Sequence, residues 1–300
     1  MNLDAEQLRA LAAVLEEGTF EAAAARLHVT PSAVSQRVRA LEQRVGRVLV
    51  VRARPCRATE PGAVLARLAG QLALLERDAV AALGGPPDAA DEPASRPPTR
   101  VAVAVNADSL SSWFPAALVG LPEGVVVDLR REDQDRTAEL LRDGSVTAAV
   151  TADAHAVQGC RVRPLGAMRY LGLVAPALRD RWFAGGVDAA ALAAAPVLAF
   201  NRADALQHRF AASLVGHEVD PPAHYVPSSS AFLELLAAGL GWGMAPEAAA
   251  ADALAAGTLV ELVPGRWLDV PLYWQHWSLR TPTLDDLTAR VATAAATTLR

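Results

Sequence analysis

The chain has 300 residues, a formal net charge of −5 and a composition that is 52% hydrophobic and 20% charged. This length predicts one large domain or two to three small ones, and no apolar run approaches the roughly 18 residues that a membrane span needs. The first ten residues are acidic and polar where a secretory signal has a basic and then an apolar region, which predicts a cytoplasmic protein. Cys56 and Cys160 lie far apart with no metal-ligand residue near either, so we expect neither a disulfide framework nor a metal site.

The positive charge is unevenly distributed. All 28 cations are Arg, and residues 1–85 carry eleven of them against nine acids, whereas residues 86–300 carry seventeen against twenty-four. The segment from Arg26 to Arg57 holds eight Arg and a single acid, Glu42. A basic segment attached to an acidic remainder is typical of a phosphate-binding surface, and a solvated helix face is the alternative interpretation.

The N-terminal segment contains helical periodicity with clear start and stop signals. The first predicted helix is Leu3–Leu15, and Gly18 stops it. The second is Phe20–Leu27, capped by Thr19, and the third is Pro31–Val45, capped by Thr30. Residues 48–52 and 56–59 then predict a short β-hairpin around Arg54-Pro55. Two helices joined by a tight turn and followed by a hairpin predict a winged helix-turn-helix.

The second helix of this motif has the side chains that read DNA. Short hydroxyls permit close approach to the major groove, Gln reads adenine, and Arg reads guanine or contacts phosphate. Arg residues on the hairpin would contact the backbone or the minor groove. We therefore expect double-stranded DNA as a partner, and the candidate DNA-binding residues are Thr30, Pro31, Ser32, Ser35, Gln36, Arg37, Arg39, Arg52, Arg54 and Arg57.

A long helix without internal proline is predicted over residues 62–83. Its leucines follow steps of three and four, which predicts a coiled-coil seam and a homodimer formed through Leu65, Leu68, Leu72 and Leu75. The alternative is a helix that lies on its own domain. Residues 84–99 contain five prolines in sixteen residues and predict a linker.

From residue 100 onward short apolar strands alternate with helices. Val101–Val105, Val125–Leu129 and Val146–Val150 predict a parallel sheet with helices on its faces. A similar α/β unit follows, and Val270–Trp277 predicts a returning strand. The expected fold is α/β with two lobes, lobe I over about 100–163 and 270–300 and lobe II over about 164–269, and ligands bind beyond the carboxyl ends of such strands.

The corners between strands and helices carry hydroxyls and carboxylates. A free basic amino acid offers a carboxylate and two cations, so its site needs backbone donors at a helix start together with acidic side chains. Plain helix capping is the alternative for each of these residues. The candidate effector-binding residues are Asp108, Ser109, Glu132, Asp133, Asp204, Ser228 and Ser229.

The residue patterns of catalysis are missing from this sequence. Gly239, Gly241 and Gly243 lack the spacing of a phosphate loop, no Ser lies in a G-x-S-x-G elbow, and the six His are not clustered at metal spacing. We therefore expect a protein that is not an enzyme and needs no cofactor or metal.

The stretch AAAARLHVTPSAVSQRVRALEQRVGRVLVVR resembles the DNA-binding domain of LysR-type transcriptional regulators, and the resemblance covers the whole chain. It implies a winged helix-turn-helix over residues 1–61, a linker helix over 62–83, and a two-lobe, periplasmic-binding-protein-like (type 2) effector domain over 100–300. Most of that family have Gln at the position of Pro31 and Arg at that of Gln36. Here TPSAVSQRV, NADSLSSWFPAAL and VPSSSAFLELLAAGLGWGMAPE are similar instead to the ArgP/LysG (chromosome initiation inhibitor-like) branch.

That branch implies a regulator that activates a basic amino-acid exporter gene when L-lysine or L-arginine accumulates. The implied partners are promoter DNA, RNA polymerase and further copies of the chain in a homodimer or homotetramer, with no membrane. Effector binding would close the two lobes and change the angle of the linker helices. The alternatives are a LysR-type regulator with another effector, an architectural or replication-origin DNA-binding protein without effector response, and a stand-alone amino-acid-binding protein.

Overall fold

The structure is a computed structural model that describes residues 3–83, 99–131 and 134–300. The predicted linker, apart from Thr99, and the candidates Glu132 and Asp133 lie outside the described residues. By their internal contacts the residues divide into two compact units. The first unit comprises Met1–Val105, Gly120–Arg163 and Trp274–Ala289, and the second comprises Asn106–Val119, Pro164–Tyr273 and Arg290–Arg300.

The N-terminal part of the first unit is helical with one small hairpin. Its elements are α1 (Ala5–Glu17), α2 (Phe20–Arg26), α3 (Pro31–Val45), β1 (Val50–Val51), β2 (Arg57–Ala58) and α4 (Glu60–Ala82). β1 and β2 pair antiparallel. The predicted helix-turn-helix and hairpin are therefore confirmed, with strands shorter than expected.

Local capping chemistry sets the ends of these helices. The side chains of Thr19 and Thr30 accept hydrogen bonds from the N–H groups three residues later, and Pro31 occupies the first turn of α3. α1 and α3 end at Gly18 and Gly46, both in the left-handed region at φ 74° and 71°. Glu42 accepts a hydrogen bond from the N–H of Leu49 at 2.9 Å, so the single acid of the basic segment holds the start of the hairpin.

α4 corrects the predicted leucine seam. Leu65 is only 8% exposed, and Leu68 and Leu72 are half-buried against the core that α1, α2 and α3 enclose. α1 and α4 pack along each other, so these three leucines cover the chain's own domain, as in the alternative interpretation. Leu75 is 42% exposed, and Val64 is 63% exposed on the same helix. The period of the stripe was predicted correctly, but the surface that it covers was not.

The remainder of the chain alternates strands and helices. Its elements are β3 (Thr99–Val105), α5 (Ala107–Ser111), α6 (Phe114–Leu118), β4 (Val125–Arg131), α7 (Gln134–Arg142), β5 (Ala148–Thr151), β6 (Cys160–Val174), α8 (Pro176–Trp182), α9 (Ala189–Ala194), β7 (Val197–Ala199), α10 (Leu206–Val215), β8 (Ala223–Tyr225), α11 (Ser229–Ala237), β9 (Trp242–Pro246), α12 (Glu247–Ala255), β10 (Val260–Glu261), β11 (Trp267–Trp277) and α13 (Pro282–Thr298). β6, β11 and α13 each have residues in both units. α5 and α6 are separate helices, and Pro115 lies in the first turn of α6.

In the first unit the parallel sheet is confirmed, since β3 pairs in parallel with both β4 and β5. α4 contacts this part of the unit through Arg67, whose guanidinium donates to the carbonyl of Gln158 at 2.7 Å. Gly144 allows the approach, because a Cβ there would lie 2.6 Å from the Cα of Arg67. A Cβ at Gly70 of α4 would likewise lie 2.8 Å from the ring of Trp277.

The second unit has its own sheet and core. β7 pairs in parallel with β8 and β9, and β6 pairs antiparallel with β9 and β10. Its core includes Leu173, Leu198 and Leu236, all fully buried. Because β7 and β8 are followed by turns into α10 and α11, the strand-to-helix corners of this unit lie next to one another.

Candidate DNA interface and ligand site

The candidate DNA-binding residues lie on the outer face of α3 and on the hairpin. Val34, Val38 and Leu41 face the core of the domain and are fully buried. Eight of the ten candidates on α3 and the hairpin are exposed, while Ser35 and Arg37 are half-buried. Their charge is entirely positive, as a phosphate-binding surface requires.

Two of the Arg side chains are fixed by neighbours. Arg52 stacks on the ring of Phe20 at 4.7 Å, which fastens the hairpin to α2. Arg37 forms an ion pair with Glu6 of α1, with 3.2 Å between Nη1 and Oε2. At the start of α3 the hydroxyl of Thr30 caps the helix and lies 2.9 Å from the hydroxyl of Ser32.

The second unit contains a cavity of about 270 Å³ beside the start of α11. Its walls are mainly apolar, with Phe200, Phe232 and Met244 among them. Its polar atoms come from Asp108, Tyr170 and three serines, Ser111, Ser229 and Ser230. Apolar walls with a few converging polar groups are typical of small-molecule sites.

The Asp108 carboxylate is held by two donors. The hydroxyl of Tyr170 donates to Oδ2 at 2.8 Å, and that of Ser229 donates to Oδ1 at 3.0 Å. Burial raises the pKa of the Asp108 carboxyl above its ordinary value, while these two hydrogen bonds lower it and the charge of Asp204 raises it further. Burial and the charge of Asp108 together raise the pKa of Tyr170 well above its ordinary value. A half-buried carboxylate of this kind favours a cationic ligand group, which restores the electrostatic stabilisation lost with water.

The structure brings together some of the predicted effector residues. Asp108 and Ser229, 121 positions apart, are directly hydrogen-bonded, and Asp204 lies close enough for its charge to act on Asp108. Asp204 itself accepts hydrogen bonds from the N–H groups of Phe200 and Leu206, so it orders the corner after β7.

The remaining predicted residues have separate places. Ser228 caps α11 by accepting from the N–H of Ala231, as the capping alternative anticipated. Ser109 is fully buried, and its hydroxyl has no hydrogen-bond partner among the described residues. Nothing is described for Glu132 and Asp133.

Two family models match the chain. Residues 5–63 match the lysR family of bacterial regulatory helix-turn-helix proteins, and residues 94–296 match the LysR substrate binding domain. The chain belongs to the LysR family. Its winged helix and its α/β remainder correspond to the helix-turn-helix and substrate-binding parts of that family.

Named relatives cover nearly the whole of this LysR-family chain. The HTH-type transcriptional regulator LysG of Mycobacterium tuberculosis is 50% identical over 98% of this chain and 94% of its own. The lysine export transcriptional regulatory protein LysG of Corynebacterium glutamicum is 43% identical over 98% of both chains. A solved structure of full-length LysG from Corynebacterium glutamicum with bound effector Arg has a TM-score of 0.78 and 41% identity, covering 99% of this chain and 100% of that one.

Sequence reasoning missed Tyr170 and the apolar wall of the cavity. Tyr170 lies in the middle of β6 and has no neighbouring motif, so no local signal marks it. Its role depends on the pairing of β6 with β9, which sets it opposite Pro246, another cavity residue. Glu6 was missed for a similar reason, because it reads as an ordinary acid in the first turn of α1.

Within residues 3–83, 99–131 and 134–300 no three His, Cys, Asp or Glu side chains are grouped as a metal site would require. Among the helices in those ranges none has the length and apolar character needed to cross a membrane.

Proposed function

We propose that this LysR-family transcriptional regulator senses a basic amino acid, L-lysine or L-arginine, and controls a gene for a basic amino-acid exporter. The observation that carries the proposal is the Asp108 carboxylate, held by Tyr170 and Ser229 beside an apolar cavity. The similarity to LysG of Corynebacterium glutamicum supports it, since that protein is named a lysine export regulator and a solved structure of LysG from that organism holds Arg as effector.

The cavity matches the two halves of a basic side chain. A cationic group of the ligand pairs with Asp108, which retains both of its own donors because a carboxylate accepts several hydrogen bonds. The aliphatic stem packs along Phe200, Phe232 and Met244. The charge of Asp204 adds to the preference for a cation. Ser109, Ser228, Glu132 and Asp133 remain candidates for the other polar groups of the effector.

For DNA, we propose that α3 enters the major groove of the promoter and that the hairpin contacts the backbone. Gln36, Arg37 and Arg39 then read bases or hold phosphates, while Arg52, Arg54 and Arg57 form the basic wing. The chain acts in the cytoplasm with RNA polymerase as its downstream partner, and it catalyses no reaction.

We assign dimer formation to the exposed apolar side chains of α4, which include Leu75 of the predicted seam but not Leu65, Leu68 or Leu72. Val64 and Leu75 lie three helical turns apart on nearly the same face, and Leu83 follows the helix with 83% of its surface exposed. Two such dimers would form the tetramer. A purely architectural role is not proposed, because it gives no use to a ligand-sized cavity with a half-buried carboxylate.

The test is a thermal-shift screen of the twenty amino acids with two neutral analogues. Citrulline has the shape of arginine without its charge, and norleucine has the stem of lysine without its ammonium group. We expect L-lysine or L-arginine to raise the melting temperature and neither analogue to do so. A shift with citrulline equal to that with arginine would contradict the role of the carboxylate, and no shift with either basic amino acid would contradict the proposed effector.

A further inference from the structure

Four alternating charges connect three helices of the N-terminal domain. Glu6 of α1 contacts Arg37 of α3 at 3.2 Å through Oε2 and Arg9 at 2.6 Å through Oε1. Arg9 in turn contacts Glu76 of α4 at 2.6 Å. We call this set of four residues the Glu6 network. It runs from the predicted recognition helix through α1 to the long helix.

The Glu6 network orders a side chain that would otherwise be free. Of the candidate DNA-binding residues, Arg37 belongs to the Glu6 network, and its side chain is 32% exposed. Glu6 occupies Nη1 from the α1 side, while Arg carries five N–H donors in a rigid fork. The guanidinium therefore has further N–H donors with which to contact DNA. An Arg held in one orientation loses less side-chain entropy when it binds a base edge.

The charge of Glu6 also weakens binding to DNA sequences with which Arg37 makes no specific contact. A carboxylate close to the recognition helix repels phosphate, and this repulsion is offset where Arg37 makes a specific contact. Such a combination of one attractive and one repulsive group raises the difference in affinity between correct and incorrect sequences. Arg9 holds Glu6 in place from the other side, and hydrogen bonds from Arg9 to Glu76 and Glu6 raise the pKa of the Arg9 guanidinium.

We propose that Glu6 is a positioning and specificity-determining residue of the DNA interface, acting through Arg37. The proposal rests on the proposed function, because it requires α3 to read DNA. It predicts that Glu6 contributes to the ratio of specific to non-specific affinity rather than to overall affinity.

The experiment uses the full chain and a duplex selected by the wild-type protein from a random-sequence library, with a shuffled duplex of equal composition as reference. The variants are Glu6→Gln, Arg37→Ala, the double variant and Arg37→Lys. Glu21→Gln is the matched control, since Glu21 is an exposed acid in the first turn of α2 and its change alters the net charge equally.

We expect Glu6→Gln to lower the ratio of affinities for the selected and shuffled duplexes by about threefold to tenfold. The double variant should lose no more than Arg37→Ala alone, and Arg37→Lys should keep the salt dependence of binding while losing the ratio. Glu21→Gln should leave the ratio unchanged.

Two results would overturn the inference while leaving the proposed function intact. One is a Glu6→Gln ratio equal to that of Glu21→Gln, and the other is a double variant whose losses are the sum of the single ones. Failure of the proposed function is distinguishable, because then the wild-type protein would select no duplex over the shuffled one.

Discussion

The candidate DNA interface and the ligand cavity differ in how their residues are spaced along the chain and in how much water they retain. The DNA candidates fall between Thr30 and Arg57, on one helix and one hairpin, and most are exposed. The polar groups of the cavity, Asp108, Tyr170 and Ser229, come from distant segments and are bonded to one another. A surface for a long polyanion can be built from local periodicity, whereas a pocket that desolvates a small cation requires tertiary structure.

This difference implies different responses to mutation. Exposed Arg side chains act through screened electrostatics, so their effects should be small, nearly additive and dependent on salt. Residues of the cavity share one carboxylate, so their effects should be large and not additive.

The largest effect is expected for Asp108→Asn. The variant keeps the shape of the side chain and removes the charge that faces the ligand cation. Removing one partner of a buried ion pair costs about 3–5 kcal/mol, so arginine should bind about 100-fold or more weakly. Titration calorimetry measures this, with Asp220→Asn as control because Asp220 is a fully exposed acid of the same unit. Equal affinities of the two variants for arginine would show that Asp108 does not bind the ligand.

The next effect concerns the junction of the hairpin and the long helix. A Cβ at Gly62 would lie 1.9 Å from the carbonyl oxygen of Leu49, so Gly62→Ala should lower the free energy of unfolding by about 1–3 kcal/mol. Gly185→Ala is the control, because nothing lies within 4 Å of its added Cβ. Urea denaturation of both variants measures the difference, and equal stabilities would show that α4 does not pack on the hairpin in this way.

These cases show what the sequence could and could not predict. Thr19, Thr30, Gly18 and Gly46 act within a turn of their own positions, so the helix ends of the N-terminal domain were predicted closely. The prediction that Leu65, Leu68 and Leu72 of α4 face a second copy of the chain was wrong. A leucine stripe specifies an apolar face without specifying which surface covers it. Of the polar residues that line the candidate cavity, Asp108 and Ser229 could be named from strand-to-helix corners, and their role in ligand binding stays a prediction. Tyr170 could not, since its place depends on strand pairing.

A pH dependence follows from the raised pKa of Asp108. The ligand cation pairs with the ionised carboxylate, so as pH falls through that raised pKa a proton competes with the ligand and the dissociation constant rises. Below this pKa the constant should increase about tenfold per pH unit, beginning above the ordinary Asp value near 3.9. Tyr170 stays protonated throughout, because its pKa is raised. Calorimetry with arginine at stepwise lower pH tests this, and a flat profile that matches Asp108→Asn would contradict it.

The smallest effect is expected on the DNA side. Arg54→Ala should weaken binding almost equally for all sequences and reduce the slope of log affinity against log salt by about 1, as for one lost phosphate contact. Arg179→Ala, which changes an exposed Arg of the second unit, should leave the slope unchanged. Fluorescence anisotropy at several salt concentrations separates the two, and an unchanged slope for Arg54→Ala would place the hairpin away from phosphate.

We propose that a cation bound at Asp108 changes how the winged helix holds DNA. A nuclease footprint on the selected duplex, with and without L-arginine, tests it in the wild-type protein and in Asp108→Asn. We predict that arginine alters the protected region of the wild-type protein and leaves that of Asp108→Asn unchanged. An arginine-dependent change of the same size in Asp108→Asn would contradict the account.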